Sequence, residues 1–170
     1  MHHVRLLAVA TAVASLSFAV ACDDDDDPSG PPAPTQTNFN ATLNGQNERP
    51  NPVTTNANGT AALTLFDDDS VRFTISVAAI DSVILSHIHA GDGNTAGPIL
   101  FGFPATSPPT SFTTLTTLHT GTITRTSTGF SGAFTWDSLL TRLNAGTSYV
   151  NVHTRANQGG EIRGQLNRQQ

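Results

Sequence analysis

The chain has no lysine, one cysteine, and no methionine beyond Met1. A lone cysteine, Cys22, leaves no partner for an internal disulfide. Without sulfur ligands in the body of the chain, blue-copper and Cu(I)-thiolate sites are excluded. Charged residues are only 12% of the chain and the formal net charge is −5. Five of the thirteen acids form the single run Asp23–Asp27. With that run and Arg5 set aside, eight acids face seven arginines, a net charge of about −1. Such a body has no basic field for nucleic acid. No Gly-rich phosphate loop of P-loop or Rossmann spacing occurs. No serine sits in a G-x-S-x-G or S-x-x-K setting. Apart from Asp67–Asp69 the remaining carboxylates are scattered, which gives little support for a glycosidase pair. These absences lean away from an enzyme.

What is present begins with a leader. Arg5 is followed by an apolar run, Leu6 to Ala21, broken only by Thr11, Ser15 and Ser17. At about 16 residues it is too short and too weakly apolar to favour a membrane span. It ends Ala19-Val20-Ala21-Cys22, small residues that fit a secretory signal over 1–22. Ala-Val-Ala suits ordinary signal peptidase. The same residues before Cys22 resemble a bacterial lipobox, although Ala19 stands where leucine is usual. The lipobox reading gives the lone cysteine a role as lipid attachment point. The expected location is then the cell envelope, anchored to a membrane and facing the periplasm or exterior. Residues 23–37 form an acidic, Pro-rich tether, where like charges repel and proline stiffens without a core.

Residues 38–170 amount to one domain. They are rich in Thr, Val, Ile and Phe, a β composition. Alternation and turn residues predict strands near Phe39–Leu43, Ala61–Phe66, Val71–Val77, Val83–His89, Ile99–Phe103, Thr122–Arg125, Phe130–Thr135, Tyr149–His153 and Ile162–Leu166. Asn58-Gly59 reads as a turn, and Asp67–Ser70 as a hairpin turn. Ala105–Leu118 reads as a loop followed by an edge strand. One short helix is expected, capped by Asp137, lined by Leu139, Leu140 and Leu143, and ended by Gly146. The expected fold is all-β, an antiparallel Greek-key sandwich with one short helix.

Three blocks carry a family resemblance. They are LNGQNERPNPVTTNANGTAALTL (43–65), HIHAG with its downstream Gly-Pro (87–98), and YVNVHT followed by GGEIRGQL (149–166). Together they resemble the CHRD, or chordin-type, domain, with Asn51 interrupting the Pro-Pro pair usual in the first block. The resemblance implies an immunoglobulin-like β-sandwich. It implies no activity, and leaves a binding or scaffold role toward an unidentified envelope or extracellular partner.

A second, weaker resemblance is chemical. HIHAGDGNTAGP is similar to the H-V-H-x-x-G-D-N-T-x-G segment of copper–zinc superoxide dismutases. On that likeness His87, His89 and His153 correspond to three copper ligands, and a dismutase-like redox protein is the alternative function. The bridging histidine, the histidine-rich zinc loop and the structural disulfide of that family have no counterpart here. His119 has only a vague likeness to a zinc ligand and otherwise reads as an exposed strand residue.

Two histidines at i and i+2 on a strand share a face, about 7 Å apart. A third from a neighbouring strand makes a three-nitrogen site suited to copper or zinc. The alternative is structural: His87 and His89 hydrogen-bond the loop Gly91–Gly97, and His153 does so for Arg155–Gly160. Glu161 is a weaker candidate, as ligand or as orienter of a ligand. With Arg163 it otherwise reads as part of a surface ion network.

Overall fold

The computed structural model describes residues 35–67 and 69–170. The leader, Cys22 and all but the last three residues of the tether lie outside them. The elements run β1 (Gln36–Asn44), a single 3₁₀ turn (Gly45–Asn47), β2 (Asn58–Phe66), β3 (Ser70–Ala78), β4 (Ile80–Ala90), β5 (Ile99–Gly102), β6 (Thr110–Phe112), β7 (Thr116–Thr124), α1 (Trp136–Ala145), β8 (Ser148–Thr154), β9 (Ile162–Gln165) and β10 (Asn167–Arg168). The described residues are all-β apart from these helical segments. The strands form one antiparallel sheet in the order β5-β4-β8-β9-β1-β2-β3-β7, with β6 added to β4 and β10 to β1.

The sheet curls. β5 and the β3–β7 pair stand at opposite ends of the strand order. Yet Phe103, just past β5, lies 4.9 Å from the Phe73 ring of β3 and stacks at 5.5 Å on His119 of β7. Side chains bring the two ends together.

Alternation explains the strands. In β2, Gly59, Ala61 and Leu63 turn inward while Asn58, Thr60 and Ala62 face out. Phe39, Leu43, Leu63, Ile75, Ile88, Leu100, Val150, Val152 and Ile162 form a core closed to solvent. Burying each large apolar side chain contributes about 1.5–3 kcal/mol. The helix adds Trp136, Leu139 and Leu143 to that core.

Several local expectations are corrected. Asn58-Gly59 is not a turn but the start of β2, paired with Ala78 and Val77. Glycine is required there because a Cβ on Gly59 would lie 2.5 Å from the Ser76 carbonyl oxygen. Phe130–Thr135 is not a strand. Phe130 makes one isolated bridge to Phe101, and the Phe134 N–H then donates to the Ser131 carbonyl in a turn. The helix cap is Thr135 rather than Asp137. Thr135 accepts from the Ser138 N–H, and Ser138 reciprocates in a capping box. Asp137 sits inside the first turn, where its charge suits the helix dipole. Gly146 ends the helix in the left-handed region, φ 64°, as the sequence suggested. Gln36 and Thr37, assigned to the tether from sequence, already belong to β1.

Candidate metal centre

The site grows from the period of two on three adjacent strands. β4 pairs with β8 so that His87 opposes Asn151, His89 opposes Tyr149, and Leu85 opposes His153. β8 pairs with β9 so that Asn151 opposes Arg163 and Tyr149 opposes Gln165. Cross-strand partners share a face. One face therefore carries His87, His89, Tyr149, Asn151, His153, Arg163 and Gln165. The other carries Ile88, Val150, Val152 and Ile162, which belong to the core. Both faces are shielded, and every residue of β8 is buried. Chain from outside the three strands covers the polar face: Glu48 after the 3₁₀ turn, the segment 91–97, and the segment 155–160.

His87, His89 and His153 come together. Each offers one ligand atom, and those atoms lie within 4.8 Å of one another. Ring centroids are 4.8 Å apart for His87–His153, 5.5 Å for His87–His89 and 6.0 Å for His89–His153. Two nitrogens bound tetrahedrally at about 2.0–2.1 Å stand roughly 3.3 Å apart. The widest pair therefore needs a small side-chain adjustment to close on an ion.

Hydrogen bonds define the free nitrogens. Nδ1 of His89 is 2.9 Å from the Gly97 carbonyl, and Nδ1 of His153 is 2.9 Å from the Gln158 carbonyl. A carbonyl only accepts, so both Nδ1 atoms carry the proton and both Nε2 atoms are bare acceptors. Nε2 of His89 is buried with no hydrogen-bond partner. Nε2 of His153 is 3.0 Å from Nδ1 of His87, which must donate to it. The nitrogens turned toward one another are thus Nδ1 of His87, Nε2 of His89 and Nε2 of His153. Once His87 moves its proton to Nε2, the set supplies three neutral nitrogen donors, which suit copper or zinc. The orphaned His89 nitrogen is a cost that a metal would remove. The metal and structural readings coexist on His89 and His153, because one nitrogen of each holds a loop carbonyl while the other faces the centre.

The three imidazoles are held in the neutral form. Burial, with repulsion from His153 and His89, pushes His87 down to about 4. Burial also lowers His89 and His153, against the raising effect of their carbonyl partners. All three are therefore neutral at pH 7, the form that binds metal.

Backbone geometry places the first loop. The Ala90 N–H donates to the Pro98 carbonyl and the Gly91 N–H to Thr147. At Gly97 a Cβ would lie 1.6 Å from the Ala90 carbonyl oxygen, so only glycine lets the loop return close enough to present its carbonyl to His89.

Glu161 stands outside the three-histidine group. Its oxygens accept from Thr55 at 2.8 Å, Thr154 at 2.6 Å and Asn157 at 3.2 Å. It organises the loop whose Gln158 carbonyl orients His153. The surface ion network expected for Glu161 and Arg163 is corrected, since both are buried. Arg163 donates to the carbonyls of Asp92 and Thr95 at 2.5 and 3.0 Å. His119 is also corrected: it is half-buried against Phe103, apart from the cluster.

Sequence reasoning missed Tyr149, Asn151 and Gln165 on this face and Glu48 above it, and took Arg163 for a surface residue. Glu48 is 3% exposed, and both of its carboxylate oxygens accept from the Asn151 amide, at 3.0 and 3.1 Å. Burial raises it from 4.5 to about 7, against the lowering effect of Asn151 and Arg163. Alternation with His153 on one strand and with Glu161 before another was the available signal.

No curated protein and no solved structure matches the chain. The family model of the CHRD domain matches residues 39–166. That match spans most of the chain and takes in all three blocks, the three histidines and the strands that align them, so the chain belongs to the CHRD family.

Proposed function

We propose that this chain is an envelope protein, lipid-anchored through Cys22, whose CHRD domain binds one copper or zinc ion at His87, His89 and His153. Its role is binding or scaffolding toward an envelope or extracellular partner, without turnover. The curled sheet is read as the Greek-key, immunoglobulin-like sandwich expected from the resemblance. The observation that carries the metal reading is the buried, unpartnered Nε2 of His89 facing two further imidazoles. Neutral nitrogens, a shielded site and orienting carbonyls support it.

The test is titration of purified protein with Cu(II) and Zn(II), for wild type, His87→Ala and His153→Ala. Wild type should bind one ion, and each variant should lose at least tenfold in affinity. Equal affinity in all three rejects the site.

A dismutase-like redox role is the second reading, favoured only by the histidine arrangement. Among the described residues no fourth histidine joins the cluster. Superoxide consumption by copper-loaded protein at the rate of free copper or slower would reject it.

A further inference from the structure

We propose that Tyr149 and Arg163 are positioning residues of the metal centre, which fix the His89 ring and bias bound copper toward Cu(I). The inference rests on the metal reading above. It starts from a three-layer stack. The Arg163 guanidinium carbon lies 3.4 Å from the Tyr149 ring centroid. Tyr149 in turn lies against His89, with centroids 4.9 Å apart and planes 11° from parallel.

Both ends of the stack are fixed. Arg163 is 2% exposed and donates to the Asp92 and Thr95 carbonyls. The Tyr149 hydroxyl accepts from the Gly97 N–H at 3.0 Å. Gly97 is also the residue whose carbonyl holds Nδ1 of His89. One loop residue therefore ties both aromatic side chains, and the stack sets the plane of the ring that aims Nε2 at the centre. Without Tyr149 one face of the His89 ring would lose its packing.

Charge follows from the same geometry. Three neutral imidazoles bring no negative charge to an ion. A buried guanidinium one ring away from a ligand adds a fixed positive charge at low local dielectric. That charge opposes Cu(II) more than Cu(I). The carboxylate nearest in effect is Glu48, which burial raises to about 7, so near neutral pH it offsets Arg163 only in part.

Cu(I) and Cu(II) affinities are measured by competition with chromophoric chelators, with Cu(II) electron paramagnetic resonance alongside. The variants are Tyr149→Phe, Tyr149→Leu, Arg163→Met and Arg163→Lys, each first checked for cooperative thermal unfolding. Tyr149→Leu should lose at least tenfold in both affinities and broaden the Cu(II) spectrum, while Tyr149→Phe, which keeps the ring but loses the tie to the Gly97 N–H, should fall between wild type and Tyr149→Leu. Arg163→Met should lower the Cu(I)-to-Cu(II) affinity ratio at least tenfold, about 59 mV for one electron. Arg163→Lys, which keeps the charge but not the planar fork, should restore the ratio. If Arg163→Met does not fold, the Tyr149 pair decides. Wild type that binds copper, with an unchanged ratio in folded Arg163→Met or unchanged affinities in Tyr149→Leu, overturns this inference alone. Wild type that binds zinc but no copper also overturns this inference alone, and wild type that binds neither overturns the metal reading and this inference with it.

Discussion

At the scale of single residues, each histidine of the cluster is held neutral by its surroundings. An unfolded histidine titrates near 6.5, whereas folded His87 titrates near 4. Between those values the unfolded chain binds more protons than the folded one, so stability falls as pH drops through that window. Metal-free protein should therefore show a melting temperature that declines from pH 6.5 to 4. The slope should be shallower in His87→Gln. A difference between wild type and His87→Gln that stays constant over that range, in which the opposing effect of Glu48 cancels, would show that His87 is not buried neutral.

Glu48 behaves in the opposite sense. Its folded pKa is raised from 4.5 to about 7. The folded state then holds the proton more tightly, and Glu48 contributes least strain below pH 4.5 and loses that advantage as pH rises through 7. Relative to wild type, chelator-treated Glu48→Gln should gain stability as pH rises from 4.5 to 8, by about 2 kcal/mol or less after solvent screening. Paired thermal melts across that range check it, and a difference that stays constant with pH would contradict the raised pKa.

At the scale of elements, two loops set the site. The 91–97 loop delivers the Gly97 carbonyl to His89, and the 155–160 loop delivers the Gln158 carbonyl to His153. Glu161 ties the second loop to Thr55, Thr154 and Asn157. Replacing it with alanine leaves three donors without their acceptor, which should cost about 1–3 kcal/mol. Copper affinity should fall with it, because the Gln158 carbonyl loses its fixed position. Denaturant unfolding and metal titration of Glu161→Ala check both; unchanged values would place the loop's support elsewhere. In the helix, Thr135→Ala should cost about 1 kcal/mol through the lost cap, measured the same way, whereas removing Asp137 should cost less.

Much of this was legible in the chain. His87 and His89 share a face because a strand has a period of two, and YVNVHT announced β8 by the same rule. The helix end at Gly146 was readable from composition. The depth of the polar face was not. Asn151 meets Glu48 across 103 residues of sequence, and Arg163 reaches Asp92 across 71. Local pattern marks such residues as polar and therefore exposed, and only the tertiary cover makes them interior. Asn58-Gly59 misled for a related reason: its glycine answers to the neighbouring strand, not to a turn.

At the scale of the whole domain, the described strands form one sheet that curls until its ends meet through aromatic side chains. Phe103 touches Phe73, Phe101 and His119. Phe103→Ala should cost about 3–5 kcal/mol, because the contact that joins the ends of the sheet is lost along with the buried ring. Denaturant unfolding measures this, and a cost under about 1 kcal/mol would mean the sheet holds its curl without that contact. The curl also separates two tasks. The core face carries stability, and the polar face of β4, β8 and β9 carries the three-histidine cluster proposed as a metal centre, covered by the 91–97 and 155–160 segments.

The most direct measurement is the metal stoichiometry of purified protein, with Cu(II) electron paramagnetic resonance reading the donor atoms. The expected result is one ion per chain with a three-nitrogen signature, lost in a His87→Ala/His89→Ala/His153→Ala variant. Wild type that binds no ion tightly, or a triple variant that retains the same stoichiometry and spectrum, would contradict a metal centre at these three histidines.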